Sequence, residues 1–168
     1  MTVAELELPH TYMVFILGGK VFNFEARLLW EASDSAVVTE VPQSGGPLVG
    51  VTHLHGKIVP VLDLASLLDL GKVPAPGGFI AVSLPGTVEL LAGFMVDSVV
   101  GFAKIPPEDI HWVEGDPASS VFPYLKGWVE EGKRFPLLDM ERIFREQVTG
   151  DTGTGDVDPE EHQGETYV

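Results

Sequence analysis

Two histidines in the first half of the chain have the types and spacing that could bind a metal ion. His53 and His55 are two positions apart on an expected strand, so both side chains would lie on one face and could hold one ion. The nearest acids along the chain, Asp63 and Asp69, lie beyond the next strand, and two ligands do not complete a site. Polar residues on an exposed strand explain the same spacing, so we expect no metal and no cofactor.

A second candidate for chemistry is a pair of aspartates. Asp63 and Asp139 occupy equivalent places in two related segments, and such a pair could in principle perform acid-base catalysis. Each of them also directly precedes a helical pattern, where an aspartate side chain accepts hydrogen bonds from the first backbone amides. The chain has no cysteine, no Gly-x-Ser-x-Gly elbow and no phosphate-binding Gly-x-x-x-x-Gly-Lys-Ser/Thr loop. We therefore expect a protein that is not an enzyme.

The aspartates belong to a repeat that organises the whole chain. Gly50 to Leu64 runs Gly-Val-Thr-His-Leu-His-Gly-Lys-Ile-Val-Pro-Val-Leu-Asp-Leu, and Gly132 to Met140 repeats its second part as Gly-Lys-Arg-Phe-Pro-Leu-Leu-Asp-Met. A β-hairpin pattern precedes each copy, at 11–25 with a Gly18-Gly19 turn and at 79–96 with a Pro85-Gly86 turn. The two halves therefore contain the same order of elements, which indicates a repeated structural unit.

The remaining patterns predict short strands and few helices. Apolar segments separated by glycine and proline predict further strands at 37–41, 48–54, 57–62, 99–105, 127–130 and 134–138. Many short strands favour a barrel or sandwich over a parallel sheet with crossover helices. Helices are predicted at 64–70, ending at Gly71, and at 140–148, with Ile143, Phe144 and Val148 as an apolar stripe.

Charge and hydropathy restrict the classes of partner. The 168 residues carry a formal charge of −15, and nucleic acid is an unfavourable partner because its binding depends on cations. No apolar run approaches the roughly 20 residues of a membrane helix, and the N-terminus lacks the pattern of a signal peptide, so we expect a cytoplasmic protein without membrane insertion. We expect an N-terminal extension at 1–10 and an acidic, disordered tail at 149–168.

The segment from Gly50 to Leu64 resembles the signature of the CheW family of chemotaxis coupling proteins, Gly-Val-x-Asn-Leu-Arg-Gly-x-Ile-Val-Pro-Val-x-Asp-Leu. Three further segments match the family in the same order: Phe15 to Gly18, Met95 to Val99, and Leu137 to Asp139. The resemblance extends from about Tyr12 to Phe144. It implies a mainly β fold of two intertwined five-stranded SH3-like barrels around a shared core, with a C-terminal helix.

The resemblance also implies boundaries and a function. It assigns 11–148 to one CheW-like domain, with a first barrel at about 11–71, a second at about 79–138 and a closing helix at 140–148. It implies an adaptor that couples the cytoplasmic tip of methyl-accepting chemotaxis receptors to the regulatory domain of a CheA-type histidine kinase. The family has no known catalytic site, and its members act in chemotaxis or in surface motility.

Carried over position by position, the resemblance gives a set of partner-binding candidates. These are Leu29 and Glu31 for kinase or receptor contact, Gly50 and Gly56 as signature glycines, and Val99 and Phe102 in a receptor groove between the barrels. His53 and His55 replace the signature Asn and Arg, and neutral imidazole does not reproduce the five donors of a guanidinium. Two alternatives therefore stay open: a CheW-type fold that serves a different signalling partner, and an enzyme or metalloprotein that uses the two histidines.

Overall fold

The computed structural model describes residues 9–42, 46–71, 77–84, 90–113 and 124–150. Within them, twelve strands, numbered along the chain, form two sheets of six. In spatial order the first sheet contains β10 (Ile110–Trp112), β11 (Leu125–Glu131), β12 (Lys133–Leu138), β2 (Lys20–Glu25), β1 (Thr11–Leu17) and β9 (Ser98–Lys104). The second contains β4 (Thr39–Glu40), β5 (Leu48–Leu54), β6 (Lys57–Asp63), β8 (Leu91–Val96), β7 (Gly78–Ser83) and β3 (Leu29–Ser33).

The two halves of the chain exchange their hairpins. The hairpin β1–β2 pairs with β9 and β12 of the second half, and β7–β8 pairs with β3 and β6 of the first half. Each strand of one sheet has a counterpart at the same place in the other, so the sheets are related by a pseudo-twofold. The mainly β, intertwined architecture is therefore confirmed, with six strands in each sheet when the short β4 and β10 are counted. The contiguous boundaries 11–71 and 79–138 do not coincide with the sheets, because each sheet takes its hairpin from the other half.

One large apolar core joins the two sheets. It contains phenylalanines from both sheets and from the C-terminal helix, including Phe15, Phe22, Phe94 and Phe144, which are fully buried. Phe15 and Phe22 stack across the first hairpin with ring centroids 5.8 Å apart. Each sheet also covers a smaller cluster of its own, built on Tyr12 in the first sheet and on its counterpart Phe79 in the second. Because the large core draws on both sheets, the position of one surface is fixed relative to the other.

Two capped helices follow the two repeats. Helix α1 (Leu64–Leu67) begins at Asp63, and helix α2 (Met140–Phe144) begins at Asp139 and continues as a π-helical turn at Arg145–Thr149. The prediction of a helix at 64–70 was too long, because the backbone turns after Leu67 and Asp69 adopts a left-handed conformation with φ of 59°. No helix among the described residues has the length and apolar character needed to cross a bilayer.

Candidate functional site

A two-residue turn closes the hairpin β5–β6 and places a histidine at its tip. Leu54 pairs with Lys57, and between them His55 and Gly56 have φ of 47° and 80°. Consecutive left-handed residues are the conformation of a type I′ turn, which matches the twist of the flanking strands and in which histidine is better tolerated than most residues. The prediction that His53 and His55 share a strand face is therefore wrong, because only His53 lies on the strand.

The His55 side chain meets the strand β3 of the same sheet. Its ring makes an edge-to-face contact with Trp30 at 5.1 Å between centroids, and Nε2 lies 3.3 Å from Glu31 Oε2. The imidazole remains 68% exposed, whereas Trp30 packs partly into the small apolar cluster of its sheet. We call Trp30, Glu31, His55 and Gly56 the Trp30 surface. The structure thus brings together three of the predicted partner-binding residues and one aromatic residue.

The carboxylate of Glu31 is unusual within this surface. Its Oε2 is shielded from water and accepts no hydrogen bond. The approach of His55 Nε2 is an ion pair only when the imidazole is protonated, and it lacks the geometry of a hydrogen bond. Polar atoms removed from water normally find a donor, so this oxygen is an acceptor held in place without a partner.

Leu29 and Gly50 have roles inside the fold. Leu29 is 5% exposed and packs in the large core, so it offers almost no side-chain surface to a partner. A Cβ added to Gly50 would lie 2.1 Å from the carbonyl oxygen of Thr39, because β4 approaches β5 closely at this point. Gly127, the counterpart of Gly50 in β11, stands in the same relation to His111, with 2.6 Å between the added Cβ and the carbonyl oxygen. Both glycines permit a short outer strand to pair.

Val99 and Phe102 lie on β9, the outer strand of the first sheet. Val99 is partly buried against the large core, whereas Phe102 is 41% exposed. Val100, which sequence analysis did not select, is also exposed, since the backbone bulges between Val99 and Gly101 where β9 pairs with β1. We call Val100 and Phe102 the β9 surface. The apolar run from Val99 to Ala103 was visible in the sequence, but the bulge that turns Val100 outward was not.

A cleft in the first sheet was also missed by sequence analysis. It has a volume of about 490 Å³, and its lining includes Glu25, Arg27 and the exposed Trp112. Lys126 lies over the Trp112 ring at 5.6 Å from its centroid and donates a hydrogen bond to Glu25, which also accepts one from Arg27. Burial opposes ionisation of Glu25, but the two donors outweigh it and hold the pKa of this carboxyl below its ordinary value.

The two aspartates that could form a pair for acid-base chemistry are helix caps. Asp63 Oδ1 accepts the backbone amides of Ala65 and Ser66, and Asp139 Oδ1 accepts that of Arg142. Within the described ranges, no three His, Asp or Glu side chains converge where they could hold a metal ion. The described residues form two surfaces on one shared core, the Trp30 surface on the second sheet and the β9 surface on the first.

Comparisons with known proteins agree with this architecture. The family model described as CheW-like domain matches residues 11–148. The chain is 28% identical over 110 residues to protein FrzA of Myxococcus xanthus, covering 64% of this chain and 66% of FrzA, just under two thirds of its length. It is 26% identical over 147 residues to chemotaxis protein CheW of Thermotoga maritima, covering 86% of this chain and 94% of that protein. The crystal structure of scaffolding protein TtCheW from Thermoanaerobacter tengcongensis has the same fold, with a TM-score of 0.69 and 23% identity over 84% of this chain and 94% of that one.

Proposed function

This chain belongs to the family of CheW-like domains, and on that premise we propose that it is a non-enzymatic signalling adaptor of the cytoplasm. In this proposal it couples methyl-accepting chemotaxis receptors to a CheA-type histidine kinase, in chemotaxis or in surface motility. The observation that carries the proposal is the presence of two exposed surfaces on two sheets that share one core. An adaptor must hold two partners at once at a fixed relative orientation, and this arrangement provides for it.

The Trp30 surface is the proposed contact for the kinase regulatory domain. It combines the aromatic ring of Trp30 and the carboxylate of Glu31, both on β3, with the imidazole of His55, which a tight turn holds at the tip of the hairpin β5–β6. Aromatic residues held by a rigid backbone contribute strongly to protein interfaces because they lose little conformational freedom on binding. The resemblance supports this choice, since Glu31 and His55 occupy positions that it associates with partner contact.

The β9 surface is the proposed contact for the receptor. Val100 and Phe102 are exposed on the outer strand of the first sheet. An apolar strip of this kind suits the side of a partner helix, which would insert its own apolar residues between them. The mechanism is positioning: each partner binds one sheet, and the shared core transmits a change in orientation of one partner to the other. We expect both interfaces to be modest in area and to depend on many copies in an array.

A different signalling partner is the second candidate function. The observation that favours it is the pair His53 and His55, which replaces the Asn and Arg of the family signature. The structure supports a local role for His55 in contacting Trp30 and Glu31, which a partner evolved for a permanent guanidinium would not recognise equally. Genes for a receptor and a kinase beside this one would favour the first function, and their absence would favour the second.

Titration of the full-length, isotope-labelled protein tests the proposal. We expect the kinase regulatory domain to shift the amide signals of Glu31 and His55, and a receptor-tip fragment to shift those of Val100 and Phe102. Phe102→Ser should weaken the receptor contact alone, and Val37→Ser, at a residue that is 87% exposed outside both surfaces, should change neither. Failure of the wild-type protein to bind either partner at high micromolar concentrations would overturn the proposal.

A further inference from the structure

The carboxylate of Glu31 lacks a hydrogen-bond donor within the Trp30 surface. Its Oε2 is removed from water and receives no hydrogen bond within the protein. A carboxylate oxygen in this condition gains strongly from a charged donor, because hydrogen bonds between ionised groups are stronger than those between neutral groups. The surrounding structure therefore holds an acceptor ready for a donor that this chain does not supply.

His55 covers this oxygen without satisfying it. Nε2 is 3.3 Å away but out of hydrogen-bond geometry, and the ring rests edge-on against Trp30. The imidazole is otherwise mostly exposed and lies in a turn, so it can swing outward without disturbing a strand. Its movement would open both the Glu31 carboxylate and the edge of Trp30 to a group from outside.

A second histidine–glutamate pair shows what is distinctive here. His111 Nε2 lies 3.0 Å from Glu130 Oε2 on the first sheet, with side chains 57% and 46% exposed. Glu130 is an exposed residue, whereas Glu31 is partly buried and its Oε2 is shielded from water. The two pairs thus contain the same residue types, and they differ in whether the acceptor oxygen is shielded from water.

We propose that the Trp30 surface binds its partner through an arginine side chain of that partner, which displaces the His55 imidazole, hydrogen-bonds Glu31 Oε2 and lies against Trp30. A guanidinium suits this place because it is planar and permanently charged, forks onto carboxylates and stacks on aromatic rings. The net charge of −15 also favours the approach of a basic surface at long range. The inference rests on the proposed function, since it requires that the Trp30 surface be a partner contact.

The experiment measures affinity for the kinase regulatory domain, the partner proposed for the Trp30 surface, by calorimetry with full-length protein. Glu31→Gln should weaken binding about tenfold or more, because the guanidinium would lose its charged acceptor. Glu130→Gln removes the same charge from the matched pair and should change affinity by about twofold at most. His55→Ala should raise the affinity, because the partner's guanidinium would no longer have to displace the imidazole.

The outcomes distinguish failure of this inference from failure of the proposed function. Equal losses in Glu31→Gln and Glu130→Gln would indicate a general effect of charge and would overturn the inference alone. A loss in His55→Ala as large as in Glu31→Gln would mean that the imidazole itself contacts the partner, and would overturn it too. The partner's interfacial arginines should also be replaced one by one. One of these replacements should weaken binding to the wild-type protein but not to Glu31→Gln, a coupling that a purely structural role of Glu31 would not produce. A wild-type protein that binds neither partner would remove the proposed function and this inference with it.

Discussion

Replacing Gly50 with alanine tests whether this signature glycine acts through the fold or through a partner. The new Cβ would lie 2.1 Å from the carbonyl oxygen of Thr39, and side-chain carbons essentially never approach closer than 3.0 Å. Strand β4 would therefore have to retreat by at least 0.9 Å, the difference between these distances. Such a shift lengthens the backbone hydrogen bonds between β4 and β5 beyond their useful range.

The size of the effect follows from the shortness of β4. Its two residues pair with β5 at Thr39–Val51 and Glu40–Gly50. A net contribution of about 0.5–1.5 kcal/mol per hydrogen bond gives a loss of about 1–3 kcal/mol in the free energy of unfolding. For a chain of this size, 2 kcal/mol corresponds to a decrease in Tm of about 4–8 °C. The side-chain bond from Thr52 Oγ1 to the Val37 carbonyl, 2.6 Å long, lies outside the clash and should persist.

Urea denaturation and amide hydrogen exchange of Gly50→Ala would measure the loss and locate it in β4 and β5. Gly127→Ala should lose less, because its Cβ would stand 2.6 Å from the His111 carbonyl oxygen. Gly46→Ala, at a position with nothing within 4 Å, should stay within about 0.5 kcal/mol of the wild type. If Gly50→Ala were as stable as Gly46→Ala and still failed to bind a partner, the glycine would be a contact and this reasoning would be refuted.

Three further predictions concern the fold that holds the surfaces. Asp63→Ala should lower the free energy of unfolding by about 2–3 kcal/mol, because this side chain accepts hydrogen bonds from two backbone amides. Asp139→Ala removes one such bond and should lower it by about 1 kcal/mol. Equal losses in urea denaturation would contradict this. Acidification below about pH 4.5 should destabilise the protein, because the pKa of Glu25 is lower in the folded state and the unfolded chain binds protons first. The contribution of Glu25 to stability is complete above that pH. Glu25→Gln should therefore make the free energy of unfolding fall less steeply at acid pH, and an unchanged slope would be the contrary result. If the chain is divided between Gly71 and Gly77, neither fragment should fold alone, because each sheet takes a hairpin from the other half. The two fragments should form a one-to-one complex with native circular dichroism when they are mixed. A single fragment that is folded and monomeric would disprove this.

The strands that sequence analysis located best are those of the repeated unit. The expected strands 48–54 and 57–62 correspond to β5 and β6, whose ends are marked by the turn at Gly56 and the cap at Asp63. Strands β3 and β10 were missed. Each is short, and β3 contains Glu31, Ala32 and Ser33, which do not favour strands locally. Pairing with β7 and β11 determines their conformation, and pairing between distant segments leaves no periodic signal in the sequence.

The exchange of hairpins could not be derived from the residues for the same reason. Alternation of apolar residues shows which face of a strand is buried but does not identify its neighbour. The resemblance implies intertwined barrels, and the pairings of β1 with β9, β2 with β12, β7 with β3 and β8 with β6 show how the halves are joined. The contact between His55 and Glu31 was equally hidden, because it depends on a turn conformation and on the place of β3 in its sheet.

The pseudo-twofold separates residues that build this fold from residues that distinguish its surfaces. Positions with the same role in both halves serve the backbone or the core: Gly50 with Gly127, Asp63 with Asp139, and Val61 with Leu137. Their recurrence follows from folding the same unit twice, which needs no partner. The hairpin tip is different, because the repeat places Glu131 where the first half has His55. The two tips also differ in backbone, since Glu131 pairs with Lys133 around Gly132 alone, whereas His55 and Gly56 are both left-handed. The repeated unit therefore does not require the arrangement at the Trp30 surface, and a partner's requirements should be sought there.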